Sequence, residues 1–283
     1  MITRRQLGTL LGGGALLSSV AHSKGAKINS TFRGVTVGAQ SYSFRDRPLD
    51  ACIAAMKEIG LGECELFQGH IEPKDKTALA AWRKNPPLDE IRGVRKKFDE
   101  AGINLYALNY SMRADWSDEE LAKGFEIAKA LGVKYITASS NVSGAKRIDK
   151  FAQAAKIIVA MHNHSNLRPN EFARAEDFAE AMNGTKNIAI NFDIGHFTAA
   201  GFDPVSFIEQ HHQHIITLHI KDRLKNQGKN VPFGEGDTKI KEVLHLVRDK
   251  KYKIPANIEF EYAGDPMVEV KKCFAYCKTA LES

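Results

Sequence analysis

Carboxylate and imidazole side chains close two apolar runs in the second half of this 283-residue sequence. Asp193 and His196 end the run IAINFDIGH, and His219, Lys221 and Asp222 end the run IITLHIKD. A short apolar run bounded by turn signals is typical of a buried parallel strand, and α/β folds place their sites at the carboxyl ends of such strands. Asp and His together suit Mn²⁺, Co²⁺, Fe²⁺ or Zn²⁺. The alternative is an Asp that caps the next helix and a His satisfied in the core, but repetition at two strand ends favours a site.

Two further apolar runs carry pairs of such side chains. His162 and His164 stand in MHNHS, and Glu259 and Glu261 stand in IEFEY. Because side chains alternate along a strand, both members of each pair point to the same face. A carboxylate that faces a buried interior is costly unless it is paired or binds metal, so we expect the two glutamates to be functional.

A weaker signal of the same kind lies in the first half of the chain. The run ECELFQGH contains Glu65 and, at its end, His70. A structural ion pair and a role at the site are about equally good interpretations of these two residues. Glu65 is therefore a candidate for a catalytic group, and His70 is a candidate for a contact with the substrate.

Apolar runs and stretches with helical spacing alternate along the chain after its first two dozen residues. The predicted strands are 35–44, 63–70, 103–111, 133–141, 157–165, 188–196, 215–222 and 254–264. The proline-bearing segment 71–88 is predicted to be a long loop, and Leu88–Ala101 is predicted to be a helix that Gly102 ends. Eight strand–helix units in roughly 260 residues predict a single-domain α/β protein, a (β/α)8 TIM barrel. A doubly wound open sheet is the alternative, but the first strand is not followed by the Gly-rich phosphate turn that such a fold usually carries.

The first residues of the sequence predict a signal for export and not a part of the folded domain. Arg4 and Arg5 form a twin-arginine pair ahead of an apolar stretch that is too short and Gly-rich to span a bilayer as a stable helix. We therefore expect a signal peptide at 1–23, a barrel domain at 24–283, and a periplasmic mature protein with no membrane span. The net charge of +6 includes these two arginines, and no basic cluster interleaves with aromatic side chains, so nucleic acid is not an expected partner.

The motifs of the second half resemble those of the xylose isomerase-like sugar isomerase/epimerase family of TIM barrels. They are DIGH, LHIKD, FGEGD and IEFE, in this order, with ECELF as weaker support. The resemblance implies one divalent metal ion, Mn²⁺, Co²⁺, Zn²⁺ or Mg²⁺, at the ends of four consecutive strands. It places the metal ligands at His162, Asp193, His219 and Glu259. It also implies that His196 and Lys221 contact hydroxyl groups of a sugar substrate.

One position departs from the family pattern. Many members carry Glu in an E-N-H run where this chain has His162 in H-N-H, and in epimerases of the family that Glu and the Glu of the last strand act as an acid/base pair. A histidine can bind metal or act as a base, but one nitrogen cannot do both. Glu259 therefore acts alone, or a second group assists it. The candidates for that group are Glu65, Glu261 and His164, and Glu261 is also a candidate for contact with the substrate.

These residues predict a proton abstraction next to a carbonyl group of a sugar. The metal ion would act as a Lewis acid on the carbonyl oxygen and an adjacent hydroxyl, and a carboxylate or imidazole would take the proton. Return of the proton gives an epimer or an isomer, whereas loss of a β-substituent makes the enzyme a lyase. Export and the lack of an obvious phosphate nest favour an unphosphorylated keto sugar. Elimination of the aglycone from a 3-keto-glycoside is the runner-up.

Two other classes of protein compete with this prediction. A metal-dependent abasic-site nuclease shares the barrel but needs more metal ligands than the sequence offers, and export separates it from DNA. A periplasmic sugar-binding protein would need no metal, so metal analysis distinguishes it from an enzyme. The oligomeric state stays open, with a homo-oligomer as one option.

Overall fold

The computed structural model describes residues 25–283, which form a closed barrel of parallel strands surrounded by helices. A short antiparallel strand precedes the barrel. In chain order the strands are β1 (Thr31–Phe32), β2 (Val35–Gln40), β3 (Glu63–Phe67), β4 (Asn104–Asn109), β5 (Tyr135–Ala138), β6 (Ile158–His162), β7 (Ile188–Asp193), β8 (Ile215–Ile220) and β9 (Ala256–Ile258). Strands β2 to β9 pair in sequence order, and β2 also pairs with β9, which closes the ring. The predicted (β/α)8 TIM barrel is confirmed, while the predicted signal peptide at 1–23 lies outside the described residues.

Helices connect the strands and cover the outside of the barrel. They are α1 (Leu49–Ile59), α2 (Lys76–Lys84), α3 (Leu88–Ala101), α4 (Asp118–Ala130), α5 (Ala145–Ala155), α6 (Ala175–Met182), α7 (Ile194–Ala199), α8 (Pro204–His211), α9 (Ile240–Asp249) and α10 (Pro266–Glu282). Local signals set their ends. Ser117 forms a reciprocal capping box with Glu120 at the start of α4, and Gly102 ends α3 in the left-handed conformation that glycine adopts most readily.

Alternation along each strand separates an outer apolar layer from an inner polar one. In β7, Phe192 points outward and its ring stacks on Phe207 of α8, with 4.3 Å between the ring centroids. Asn191 and Asp193 alternate with Phe192 and so point into the barrel. All six residues of β7 are buried, as expected for a parallel strand that is covered on both faces. The same alternation turns the polar ends of the other strands inward, where a site can form.

The segment 71–88, predicted to be a loop, contains helix α2. Its prolines favoured a loop, but the residues between them, KTALAAWRK, are mostly good helix formers. Asp75 caps the helix by accepting a hydrogen bond from the backbone N–H of Ala78 at 2.8 Å. The prolines therefore lie outside the helix and do not interrupt it.

Several strands are shorter than predicted because a helical turn follows them directly. The predicted strand 188–196 divides into β7 and α7, since Asp193 Oδ1 accepts a hydrogen bond from the backbone N–H of His196 at 2.6 Å and caps the helix. A 3₁₀ turn at Gln68–His70 likewise follows β3. His196 and His70 therefore belong to turns above the barrel and not to its strands.

Neither a membrane-spanning helix nor a disulfide is present within residues 25–283. No helix there is long and apolar enough to cross a membrane. The thiols of Cys52, Cys64, Cys273 and Cys277 are all free and buried. Burial raises the pKa of Cys52 and Cys273 to about 12, so these thiols stay protonated and make poor nucleophiles.

Candidate active site

Four strand ends bring one side chain each to a common point at the carboxyl mouth of the barrel. His162 ends β6, Asp193 ends β7, His219 lies in β8, and Glu259 follows β9 directly. One ligand atom of each residue lies within 4.8 Å of those of the other three, and all four residues are buried. The positions that the family resemblance implies as metal ligands therefore converge in space.

The candidate ligand atoms have no hydrogen-bond partner in the part of the chain that the structure describes. They are His162 Nδ1, Asp193 Oδ2, His219 Nδ1 and Glu259 Oε2. Lys221 Nζ lies 2.8 Å from Glu259 Oε2 and 3.3 Å from Asp193 Oδ2, but these are ion pairs that lack hydrogen-bond geometry. Buried polar atoms without partners are costly, and two imidazole nitrogens with two carboxylate oxygens form a donor set for a divalent metal. The residues present therefore fit such an ion.

The charges around these four side chains also favour a divalent cation. The carboxylates of the cluster are Glu65, Asp193, Glu259 and Glu261. Among the described residues, Lys221 and Arg223 are the basic side chains beside them. With the histidines neutral, the state in which His219 Nδ1 can bind a metal ion, four negative and two positive charges leave an excess of two negative charges. Burial raises the pKa of Asp193 to about 6, but its carboxyl group is still mostly ionised at pH 7, so a divalent cation would balance the cluster.

Glu65 contacts the Nε2 side of the His219 ring, opposite the candidate ligand atom Nδ1. Its Oε2 lies 2.9 Å from His219 Nε2, while its Oε1 accepts hydrogen bonds from Gln40 Nε2 at 3.1 Å and Thr137 Oγ1 at 2.6 Å. Such a carboxylate keeps the imidazole proton on Nε2 and leaves Nδ1 free for a metal. Glu65 is fully buried and does not line the pocket described below. Its predicted role as an acid/base group therefore gives way to a positioning role.

The electrostatics of His219 show how strongly this position favours positive charge. Burial lowers the pKa of His219, but the carboxylates of Glu65 and Glu259 outweigh burial and raise it well above its ordinary value. Burial likewise raises the pKa of Glu259, but Lys221 and His219 outweigh it and hold that pKa well below its ordinary range. A proton or a metal ion on Nδ1 would each satisfy the two carboxylates.

Lys221 lies beneath the candidate metal site and not in the pocket. It is only 2% exposed, and its Nζ lies 2.6 Å from Glu261 Oε2 in addition to its contacts with Asp193 and Glu259. Burial lowers the pKa of Lys221, but these three carboxylates outweigh burial and raise it above its ordinary value. An ammonium group has three donors, and three carboxylates surround this one. Its predicted contact with substrate hydroxyls therefore gives way to neutralising the cluster.

His70 lies away from the other candidates. Its Nδ1 is 2.9 Å from Ser41 Oγ and its Nε2 is 3.3 Å from the Phe44 carbonyl oxygen, so both ring nitrogens have partners. Its side chain lines a separate cavity, and Phe67 stands between that cavity and the central one. The predicted contact between His70 and a substrate does not agree with this position.

A cavity of about 210 Å³ opens above the candidate metal site. One side of it is ionisable and is lined by His162, His164, His219, Glu259 and Glu261. The other side is uncharged and is lined by Gln40, Tyr42, Phe67, Asn109, Ser111 and Ser139. The cavity is smaller than the ~300–1,000 Å³ pockets that enclose drug-sized ligands, so it suits a small molecule. A larger cavity of about 440 Å³ lies at the amino-terminal mouth around Glu63 and Asn104, and it is not near the candidate ligands.

Two further imidazoles lie beside the four candidate metal ligands. The ring centroid of His164 lies 4.9 Å from that of His162 and 5.2 Å from that of His196. Burial, with Lys221 as the next cause, lowers the pKa of both His164 and His196, so both rings are neutral at pH 7. One nitrogen each of His162, His164 and His196 lies within 4.8 Å of the others, which makes them a second possible set of ligands. His164 lines the cavity and can accept a proton there.

Sequence reasoning missed the uncharged side of the cavity and one arginine. Gln40 ends β2 and Asn109 ends β4, so the rule that found His162, a polar residue at the carboxyl end of a strand, would have found them too. Arg223 gave no such signal, because it lies in the loop after β8. Its Nη1 nevertheless lies 2.6 Å from His196 Nδ1.

Comparison with known proteins places these features in a family. The family model described as the xylose isomerase-like TIM barrel matches residues 53–278. The L-ribulose-5-phosphate 3-epimerase UlaE of Escherichia coli is 29% identical over 140 residues, which are 49% of each protein, so the match spans about half the length of these curated relatives. Among solved structures, the 3-keto-D-glucoside 4-epimerase YcjR of E. coli has a TM-score of 0.67 at 14% identity, covering 87% of this chain and 99% of that one. The probable 3-DHS dehydratase AsbF of Bacillus anthracis has a TM-score of 0.64 at 17% identity, covering 85% and 98%. At these identities the structures show the shared fold.

Proposed function

The chain belongs to the family of xylose isomerase-like TIM barrels, and on that basis we propose that it is a divalent-metal-dependent sugar isomerase or epimerase. The observation that carries the proposal is the set of four buried candidate ligand atoms, on His162, Asp193, His219 and Glu259, that have no hydrogen-bond partner among residues 25–283. Mn²⁺, Co²⁺, Zn²⁺ and Mg²⁺ are the ions to test. A bound ion supplies Lewis-acid stabilisation of the negative charge that develops on a carbonyl oxygen.

The side chains around the cavity supply the groups that move the proton. His164 is neutral at pH 7 and lines the cavity, so it can take a proton from the carbon next to the carbonyl group. Glu259 and Glu261 also line the cavity. Burial raises the pKa of Glu259, but Lys221 and His219 outweigh burial and hold that pKa well below its ordinary range, so this carboxylate is a weak base. We therefore propose His164 as the first base, with Glu259 or Glu261 returning the proton.

The uncharged side of the cavity supports an unphosphorylated substrate. The described residues that line it include no lysine or arginine, whereas a phosphate group needs cationic side chains or a cradle of backbone N–H groups. Gln40, Asn109 and Ser139 offer amide and hydroxyl groups that suit sugar hydroxyls. A keto sugar that binds the metal on one side and these amide and hydroxyl groups on the other would have polar partners on both sides of the cavity.

A second candidate activity is elimination of the aglycone from a 3-keto-glycoside. His162 stands where many family members have a glutamate, so the two-glutamate pair that returns a proton to the opposite face is incomplete. A 3-keto group acidifies the proton on C2, and the aglycone then leaves from C1 with its bonding electrons. One base is enough for this reaction, whereas epimerisation needs two.

One experiment separates these activities from each other and from sugar binding. Metal-loaded protein is incubated in D₂O with a panel of ketoses and with phenyl 3-keto-β-D-glucopyranoside, and NMR follows deuterium at the α-carbon, new epimers and free phenol. We expect deuterium incorporation that a chelator abolishes and that the His219→Ala variant lacks. Free phenol would support the lyase. Sugar binding without exchange, or exchange that survives the loss of metal, would contradict the proposal.

A further inference from the structure

Arg223 approaches His196 from the loop after β8. Its Nη1 lies 2.6 Å from His196 Nδ1 and donates a hydrogen bond to Ser165 Oγ at 3.0 Å. Its Nε and Nη2 both donate to the Gly228 carbonyl oxygen, at 3.1 and 2.6 Å. The guanidinium group is therefore fixed in orientation by its own loop and by the residue after the H-N-H run, and one N–H points at the imidazole.

A guanidinium group has donors only and keeps its proton at any pH a folded protein tolerates. His196 Nδ1 must therefore accept, which leaves the ring proton of a neutral imidazole on Nε2. On that side, Nε2 lies 3.2 Å from Lys221 Nζ and 4.0 Å from Asp193 Oδ2. Lys221 also has donors only, but a neutral imidazole accepts at one nitrogen, and the 2.6 Å contact of Arg223 with Nδ1 is shorter than the 3.2 Å contact of Lys221 with Nε2. The shorter contact assigns the accepting lone pair to Nδ1.

We infer that Arg223 is a positioning residue that fixes His196 in the tautomer with its proton on Nε2. In that state His196 Nε2 is a hydrogen-bond donor on the side of the ring that faces Lys221 and Asp193, and it is neither a base nor a metal ligand. The inference rests on the proposed function in one respect only, namely that the acceptor is a substrate oxygen that gains negative charge during proton abstraction. The tautomer itself follows from the contacts of Arg223.

The same contact decides between one metal ion and two. His162, His164 and His196 form a second possible set of ligands, but each would need a lone pair directed at the ion. The lone pair of His196 faces Arg223 at Nδ1, and the Lys221 ammonium lies beside Nε2. His162 Nδ1 also belongs to the first set. We therefore expect one ion per chain, which suits Lewis-acid chemistry on a carbonyl and not a multi-metal phosphodiester hydrolase.

The tautomer can be read directly from ring nitrogens. ¹⁵N-labelled protein loaded with Zn²⁺ is examined by two-bond ¹H–¹⁵N correlation spectra of the histidines, with His196 assigned by loss of its signals in His196→Gln. We expect an unprotonated Nδ1 and a protonated Nε2 in the wild-type protein and in Ser165→Ala, which leaves the Arg223–His196 contact in place. Arg223→Met, or Arg223→Lys if that variant does not fold, should give a mixture of tautomers. A wild-type His196 with its proton on Nδ1 overturns the inference.

Two further measurements distinguish a failure of this inference from a failure of the proposed function. Metal analysis should find one zinc ion per wild-type chain, and a second ion that disappears in His164→Ala would overturn the inference. In turnover assays, His196→Gln keeps a donor near the position of Nε2 and should retain at least tenfold more kcat than His196→Ala. Equal loss in the two variants counts against a donor role. If no keto sugar reacts, the proposed function fails, while the spectra and the metal count still decide the tautomer.

Discussion

Residues from distant parts of the chain orient the imidazoles of the candidate site. Glu65 precedes His219 by 154 positions, yet its carboxylate lies 2.9 Å from Nε2. The four candidate ligands could be predicted from the sequence because the motifs around them resemble those of the family, and because each stands at or near the end of an apolar run. The supporting contact could not, because it depends on how far β3 and β8 are staggered across the barrel. The sequence therefore predicted which residues converge at the candidate site, while the contacts of Glu65 favour a positioning role over the predicted acid/base role.

Removing the charge of Glu65 should weaken metal binding without unfolding the barrel. In Glu65→Gln an amide replaces the carboxylate that holds the Nε2 proton of His219, so Nδ1 becomes a poorer ligand. Loss of such a partner typically lowers metal affinity by ~10–100-fold. Competition between the protein and a chromophoric chelator for Zn²⁺ measures this change. Glu63→Gln is the matched control, since Glu63 is also buried in β3 but lies at the opposite mouth of the barrel. Equal affinities of wild type and Glu65→Gln would contradict the positioning role.

At the scale of single elements, the loop after β8 is organised by one carboxylate. Asp222 accepts hydrogen bonds from the backbone N–H groups of Gly234, Gly236 and Thr238 at 2.8, 3.1 and 3.2 Å. A Cβ atom at Gly236 would lie 2.1 Å from Asp222 Oδ1. The glycines of the FGEGD motif therefore let the loop close around this carboxylate, which also keeps the adjacent Arg223 in place.

Gly236→Ala should disrupt that closure. The new methyl group displaces the Asp222 carboxylate, so we expect the free energy of unfolding to fall by about 1–3 kcal/mol. Chemical denaturation monitored by circular dichroism measures the loss. Gly93→Ala is the control, because a Cβ atom there meets no atom of the described residues within 4 Å. Gly93 lies inside α3, where alanine should raise the free energy of unfolding by about 0.5–1 kcal/mol. A Gly236→Ala variant as stable as Gly93→Ala would show that the loop tolerates the displacement.

The first residue of β3 should make stability depend on pH. Burial raises the pKa of Glu63 to about 7, although Asn104 donates a hydrogen bond to it at 2.9 Å. The folded state therefore holds this proton more tightly than the unfolded chain, and its contribution to stability is lost as the pH rises from about 4.5 to about 7. The fall is at most about 3 kcal/mol. Denaturation of wild type and Glu63→Gln at pH 4.5 and 8 tests this, and a difference between them that does not change with pH would contradict it.

Helices were easier to predict than the ends of strands. Leu88–Ala101 was predicted with the bounds that α3 has, because Gly102 ends it, whereas α2 was missed between its flanking prolines. The strands were predicted too long because turns such as α7 continue the same apolar pattern. Hydrogen bonds of a cap such as Asp193 decide where a strand ends, and these depend on backbone geometry that periodicity does not report.

At the scale of the whole molecule, eight repeats of strand and helix were enough to predict the barrel, since few folds accommodate that rhythm in a chain of this length. The periplasmic location stays a prediction of the sequence. Exchanging the twin arginines, Arg4→Lys together with Arg5→Lys, should retain the protein in the cytoplasm of a bacterium with a twin-arginine export system. Cell fractionation with immunoblotting measures this, and a substitution at Lys27, beyond the predicted signal, is the control. Export of the double variant would contradict the predicted signal.

Pairing between β2 and β9, the first and last barrel strands in the sequence, closes the barrel. Val37 and Ala39 of β2 pair with Ala256 and Ile258 of β9, and Glu259 comes immediately after that pairing. A nascent chain on the ribosome thus contains three of the four candidate ligands before Glu259 is synthesised, and Glu259 directly follows the strand that closes the barrel. With the proposed metal, a product truncated before β9 would neither close the barrel nor complete the candidate site, so retention of the ion would distinguish truncated from full-length copies.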